Sequence, residues 1–446
     1  MGTEYPPRQS KSGPQSKRQP IQIAAGNTTA SLRTTGHAMA ALRYAKEDFG
    51  YLVVFPSGDI DLYRPDAGAA LQTAKTREDL EPFRLQEFVA GRDFHLRSPL
   101  IVWIEVTRKC NLTCTHCYID AGKARKNELT FEEVASLLND LRDLGVHSIV
   151  LAGGEPYARK DFPEILQLAA DLGFVIAVVT NGSYLTPALL ERFPRAQARM
   201  TFSVDGIGAH SEIRGRHSTF ALMAEKLDLA KEMGVPVSVS TVISKANIHE
   251  LEGLLDWCIA RDIVFRTVTF NSLGRGLLNR ATHALQKEDA AASASLFMMQ
   301  KRFEGEKDKE IGPCVSKFFN YAMSLMYMTK REHCSRSIAY VAADGEVFPC
   351  VSSAATNTFS AGSIRNTPFS TLWKESFAEM RSILWQHFEV CGGCPFSGKD
   401  YFCANRCPVM SLILNGELTG CGATEFEKED LRLRTERLRT EMGYVY

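Results

Sequence analysis

Between Leu100 and Phe270 short apolar runs alternate with longer amphipathic stretches, and this rhythm predicts strands joined by helices. Residues 101–106 read as an apolar strand. Thr130 is placed to N-cap a helix reaching about Leu144, with Glu133 completing a capping box. Strands are then expected at 148–151, 174–180, 200–204, 237–243 and 264–270. Helices are expected at 162–172, just after Thr186, at 220–233 and at 248–261. The count is six β/α units. Near-continuous apolar strands imply a parallel sheet covered by helices. Six units are too few to close an eight-stranded barrel. The expected fold class is therefore α/β, a partial (β/α)6 TIM-like barrel over residues 99–275.

The flanks have other patterns. Residues 1–35 are rich in Gly, Pro, Ser, Gln and Thr with a basic excess, which reads as a disordered tail. Residues 50–98 read as a small unit: strands at 51–55 and 60–63 around a Pro56-Ser57-Gly58-Asp59 turn, then a short helix at 79–89. Such a hairpin either caps the next domain or captures an extended peptide, such as a leader peptide, by strand addition. Beyond residue 275 the alternation ends. Residues 312–422 hold most of the cysteines among Gly, Pro, Ser and Asn, the pattern of a small domain organised by metal rather than by a large core. Residues 424–446 form a charged C-terminal helix.

The chain has 446 residues, with 52 Lys+Arg against 52 Asp+Glu. That balance argues against a nucleic-acid or anionic-membrane partner. With 45% hydrophobic residues a sizeable core is available. The longest apolar run, at 174–179, is too short to span a bilayer. No apolar signal core stands at the N-terminus, so a cytoplasmic location is expected. Twelve cysteines then point to metal binding or catalysis rather than disulfides.

Cys110, Cys114 and Cys117 follow the first barrel strand with C-x3-C-x2-C spacing. A loop this short can wrap three thiolates around one cluster and leave one iron open. Catalytic zinc is the alternative, since it too keeps an open position. Gly153-Gly154-Glu155-Pro156, Thr180-Asn181-Gly182 and Ser203-Val204-Asp205-Gly206 follow the next three strands, with Arg214 shortly after. The glycines allow close backbone approach, and the Glu155 carboxylate can hold an ammonium group. Ligands of parallel α/β folds bind at these strand ends.

In this order the motifs resemble the radical S-adenosylmethionine superfamily over about residues 100–270. The resemblance implies a [4Fe-4S] cluster on Cys110, Cys114 and Cys117, whose open iron takes the amino and carboxylate groups of S-adenosylmethionine. It implies cofactor contacts at His116, Gly153, Gly154, Glu155, Pro156, Asn181, Ser203, Asp205 and Arg214. The chemistry it implies is reductive cleavage to methionine and a 5′-deoxyadenosyl radical that abstracts substrate hydrogen, with the protein supplying orientation and exclusion of water. A flavodoxin or ferredoxin would donate the electron.

Cys334, Cys350, Cys391, Cys394, Cys403, Cys407 and Cys421 are seven thiols in under ninety residues, enough for two metal sites. Taken alone, C-x2-C pairs suit zinc. Their order, with Asp344-Gly345-Glu346-Val347-Phe348-Pro349 before Cys350, resembles the SPASM extension of radical enzymes that modify peptides and proteins. That resemblance implies two auxiliary [4Fe-4S] clusters: an outer one on Cys391, Cys394, Cys403 and Cys421, and an inner one on Cys334, Cys350 and Cys407. Eight residues separate Cys394 from Cys403 where the family has five. Cys314 is a candidate fourth inner ligand. Cys258, mid-helix beside Trp257, reads as core packing.

Formylglycine-forming relatives carry an acid after the equivalent of Cys350. Here it is Val351, which counts against that activity. No catalytic acid or base stands out, and Glu105 reads as a structural hydrogen-bond partner. The expected activity is therefore that of an enzyme acting on a ribosomally made precursor peptide, giving a crosslink, a thioether or an epimerised residue. A small-molecule substrate, such as a tetrapyrrole or sugar, is the alternative.

Overall fold

A computed structural model describes residues 42–85, 94–215, 217–307, 315–329, 331–397, 403 and 405–442. The tail expected over residues 1–35 and the candidate ligand Cys314 lie outside them.

Strands β1 (Arg43–Glu47), β2 (Gly50–Val54) and β3 (Ile60–Tyr63) form an antiparallel sheet. The turn between β2 and β3 closes by Phe55 N–H donating to Asp59 O at 2.9 Å. The polar sequence of β1, Arg-Tyr-Ala-Lys-Glu, gave no strand signal; pairing with β2 makes it one. The helix expected at 79–89 is instead a 3-10 helix, Glu78–Phe83, with Pro82 inside it, and residues 86–93 lie outside the description. Proline has no N–H to continue an α-helical ladder. Leu52, Val54, Ile60 and Leu62 bury against Leu100, Ile101 and Phe318, so this sheet sits on the barrel through an apolar face.

The barrel strands are β4 (Ile101–Thr107), β5 (Ser148–Gly153), β6 (Val175–Thr180), β7 (Ala198–Ser203), β8 (Val237–Ile243) and β9 (Val264–Thr269). They pair in chain order and in parallel, so the architecture is the partial (β/α)6 barrel. The Phe131–Leu144 helix starts on the capping box of Thr130 and Glu133 and stops at Gly145, whose φ of 95° is the left-handed region. Its Val134, Leu137, Leu138 and Leu141 enter the main core with Ile149, Leu151, Ile165 and Ile176.

The sheet does not end with six strands. β10 (Ile338–Val341) pairs in parallel with β4, Ile338 opposite Ile101 and Val341 opposite Ile104. β11 (Glu346–Phe348) and β12 (Gly362–Ser363) add antiparallel, making nine strands. Phe369, Leu372, Trp373 and Phe377 bury in the same core as the barrel. Residues 312–422 thus hold a substantial apolar core that the cysteine pattern hid, and its first strand covers the barrel edge. The Glu425–Met442 helix docks on the Ala290–Lys307 helix, with Arg434 donating to Ser293 Oγ and Arg437 to Ser295 Oγ, both at 2.9 Å.

Candidate active site and cluster centres

The cysteine loop that leaves β4 is stitched to the loop that leaves β5. Gly154 N–H donates to Thr107 O, and Glu155 N–H donates to Lys109 O, both at 2.8 Å. A Cβ on Gly153 would meet Thr107 O at 2.3 Å, and one on Gly154 would meet Lys109 O at the same distance. Two backbones approach here as only glycine permits. Glu155 is fully buried and its carboxylate is fully engaged: Thr180 Oγ1 donates at 2.7 Å, Asn181 N–H at 2.7 Å and Tyr157 N–H at 3.2 Å. Burial pushes its pKa up to about 7 against those donors. Glu155 thus ties the β5 and β6 ends together, and Pro156 opens the short 3-10 turn behind it.

Asp205 organises the other side. It is fully buried; its Oδ2 lies 2.6 Å from both His116 Nε2 and Arg214 Nε, and its Oδ1 accepts from Val242 N–H at 2.9 Å. Burial opposes the carboxylate, but Arg214 and then His116 outweigh it and hold Asp205 far below the usual range. Burial also opposes the Arg214 guanidinium, which Asp205 and Cys114 in turn stabilise above its ordinary value. Asp205 therefore fixes two groups arriving from different elements, one in the cysteine loop and one after β7.

A cavity of about 280 Å³ opens where these loops meet. Cys110, Cys114 and Cys117 line it together with His116, Gly153, Gly154, Asn181, Ser203 and Arg214. Glu155, Pro156 and Asp205 stand behind the lining. Burial pushes the Cys114 thiol up to about 11 and raises Cys110. A thiolate there needs compensating positive charge, which an iron cluster provides, so the donor set suits a metal centre. Asn181 Nδ2 and Arg214 Nη1 each stand 3.9 Å from a cysteine sulfur, those of Cys110 and Cys114. The remaining wall is largely apolar, with Trp103, Val179, Val268, Leu273 and, from beyond Cys350, Val351 and Ser352. Among the described residues no carboxylate lines it. Glu105 is buried and bonded instead to Arg108 at 2.6 Å and Tyr340 at 2.7 Å.

The seven later cysteines fall into two groups. Cys391, Cys394, Cys403 and Cys421 surround one cavity of about 250 Å³, with Lys428 at its side. Cys334, Cys350 and Cys407 gather in a separate apolar nest with Met380 and Val409. Cys110, Cys114, Cys117, Cys258, Cys334, Cys350, Cys403, Cys407 and Cys421 carry free thiols. Cys258 is buried in the barrel core.

The residues after β9 escaped the sequence reading. Gly274, at φ 52°, passes so close that a Cβ would meet Cys117 O at 2.5 Å. Arg275 donates through Nε to Cys114 O at 3.0 Å and through Nη1 to Asp120 and Ala121 O at 2.6 and 2.7 Å. Asn279 Nδ2 donates to Thr115 O at 3.0 Å, and His283 Nε2 lies 2.7 Å from Thr115 Oγ1. This segment latches the cysteine loop from outside. The Gly274-Arg275-Gly276 run was its one visible signal.

Residues 104–258 match the Radical SAM superfamily, and residues 333–395 match SPASM, an iron–sulfur cluster-binding domain. The chain carries a radical SAM domain and a SPASM domain. These domains imply S-adenosylmethionine and iron–sulfur clusters as its cofactors. The radical SAM chain is 27% identical over 329 residues to the AdoMet-dependent heme synthase of Methanosarcina barkeri, covering 66% of this chain and 90% of that one. It is 26% identical over 332 residues to the PqqA peptide cyclase of Bradyrhizobium diazoefficiens, covering 72% and 84%. Its fold is similar to that of Streptococcus suis SuiB bound to precursor peptide SuiA, with TM-score 0.65, 14% identity, and coverage of 87% and 99%. Among the described residues no helix is long and apolar enough to cross a membrane.

Proposed function

We propose that this enzyme modifies a ribosomally made peptide by hydrogen abstraction, giving a crosslink, a thioether or an epimerised residue. The observation that carries the reading is the extent of the fold similarity: 87% of this chain against 99% of SuiB bound to precursor peptide SuiA. The peptide cyclase relative adds support. When bound, S-adenosylmethionine on the first cluster would supply the 5′-deoxyadenosyl radical.

The chain's own residues have separable tasks in this reading. Cys110, Cys114 and Cys117 hold the first cluster. Ser203, Asn181 and Arg214, with the backbone of Gly153 and Gly154, hold the cofactor in the cavity, and His116 packs against it. Asp205 positions His116 and Arg214, and Glu155 positions Thr180 and Asn181. The apolar wall of Trp103, Val179, Val268, Leu273 and Val351 keeps water from the reacting carbon. Cys391, Cys394, Cys403 and Cys421 hold the outer auxiliary cluster, and Cys334, Cys350 and Cys407 the inner one. A flavodoxin or ferredoxin delivers the electron. Leader-peptide capture falls to β1, an outer strand of its sheet with exposed Tyr44 and Lys46.

The test is anaerobic co-expression with each short open reading frame flanking the gene, followed by intact peptide masses. Loss of two hydrogens is expected for one peptide, or, for epimerisation, an unchanged mass in ordinary water with deuterium taken up in heavy water. It is expected to vanish when Cys110, Cys114 and Cys117 are changed to Ala. The heme synthase relative favours a second reading, a tetrapyrrole substrate. Release of 5′-deoxyadenosine on adding a tetrapyrrole alone, with every peptide unchanged, would select it.

A further inference from the structure

The inner group of cysteines has three described thiols, and a four-iron cluster has four corners to fill. Beside Cys334 stands a carboxylate with one of its two oxygens unpartnered among the described residues. Glu332 is 4% exposed, and its Oε2 is fully buried with no hydrogen-bond partner among the described residues. A buried carboxylate oxygen left without a donor or cation is costly, so it is expected to have a partner that the side chains do not supply. Its other oxygen is already fixed. Oε1 lies 2.7 Å from His333 Nδ1 and accepts from His333 N–H at 3.2 Å. The Glu332 main-chain carbonyl accepts from Arg336 Nη1 at 3.2 Å, which pins the turn itself. A carboxylate oxygen of Glu332, a ring nitrogen of His333 and the sulfur of Cys334 all lie within 4.8 Å of one another, close enough to meet one metal centre.

We infer that Glu332 is the fourth ligand of the inner auxiliary cluster, binding iron through its unpartnered carboxylate oxygen while His333 holds the other. The assignment rests on the reading that Cys334, Cys350 and Cys407 carry that cluster. It gives the cluster three thiolate corners and one oxygen corner, with Glu332 in the place for which the sequence offered Cys314. Carboxylate is a harder ligand than thiolate and holds cluster iron less firmly. One iron of the inner cluster is therefore distinct from the other three and the first to be lost. His333 is a positioning residue, setting the carboxylate as outer partners set metal ligands elsewhere.

The experiment uses the full chain with Cys110, Cys114 and Cys117 changed to Ala, which removes the first cluster's signals. Iron-57 Mössbauer and EPR spectra are recorded on anaerobically loaded protein before and after mild oxidation, with iron and sulfide assays. Glu332→Gln keeps the side chain's shape and its acceptor for His333, so a merely structural role would survive it. The expected result is that Glu332→Gln gives a three-iron EPR signal and loses about one iron per chain, while Glu332→Cys restores a four-iron cluster that resists oxidation. Spectra of Glu332→Gln identical to the parent, or failure of Glu332→Cys to restore a cluster lost in Glu332→Gln, overturn the assignment. Cys334→Ala is the separate control. It should lose about four irons per chain; if it loses none, the inner-cluster reading falls, and the Glu332 assignment with it.

Discussion

Gly154 shows how much of the site rests on single atoms. Alanine there places a Cβ 2.3 Å from Lys109 O, against backbone that cannot swing away. Gly154→Ala should cost roughly 2–4 kcal/mol of stability and lower first-cluster iron, read by denaturant unfolding and by iron assay. Asp205→Asn should cost about 3–5 kcal/mol, because it leaves the Arg214 guanidinium buried without its carboxylate; the loss shows in the same unfolding curve and in weaker S-adenosylmethionine binding. His147 sets a pH dependence. Burial, then Arg43, lowers its pKa to about 4, and its Nε2 has no partner among the described residues. The unfolded chain takes up this proton below about pH 6.5 and the folded chain does not until about pH 4. Stability from this group is complete above pH 6.5 and is lost as pH falls toward 4. Relative to His147→Gln, the parent should lose about 3 kcal/mol over that window. The glycine pair and the cysteines were legible in the sequence because few residue types can do their work. The use of Glu155 was not legible. A carboxylate reads the same whether it faces a ligand or two backbone N–H groups, and only the fold decides.

At the scale of elements, periodicity located what periodicity can. The six barrel strands and the capped Phe131–Leu144 helix each carry a local signal in composition or spacing. β1 and β10 do not. The first is polar and short, and the second is an apolar quartet whose place depends on a partner far along the chain. Pairing of β10 with β4 is reinforced by Tyr340 Oη donating to Glu105, with Arg108 on the other carboxylate oxygen. Tyr340→Phe should cost about 1–3 kcal/mol, since a buried carboxylate loses a donor. The check is a thermal melt of the loaded protein. Exposed β1 side chains make the peptide reading testable without disturbing the core. Tyr44→Ala with Lys46→Glu should raise the KM for the precursor peptide at least tenfold, roughly 1.4 kcal/mol, while iron content stays unchanged. An unaltered KM would remove leader capture from β1.

Ten of the described cysteines form three groups on one continuous scaffold, a barrel whose sheet runs without a break into the SPASM region. The segregation of Cys391, Cys394, Cys403 and Cys421 from Cys334, Cys350 and Cys407 followed from the family's interleaved order and not from spacing, because Cys407 lies in sequence between members of the other group. The latch at Gly274 and Arg275 stayed hidden for the opposite reason: its contacts are nearly all to backbone, which leaves little trace in residue types. The β4–β10 pairing also has a consequence in time. Tyr340 meets Glu105 across 235 residues of chain. At ribosomal speeds of 5–20 residues per second, β4 waits roughly 10 to 50 s for its neighbour. During that interval a nascent chain already carries its first three cysteines beside an unpaired sheet edge, so the newborn protein needs sheltering before it can be loaded with iron.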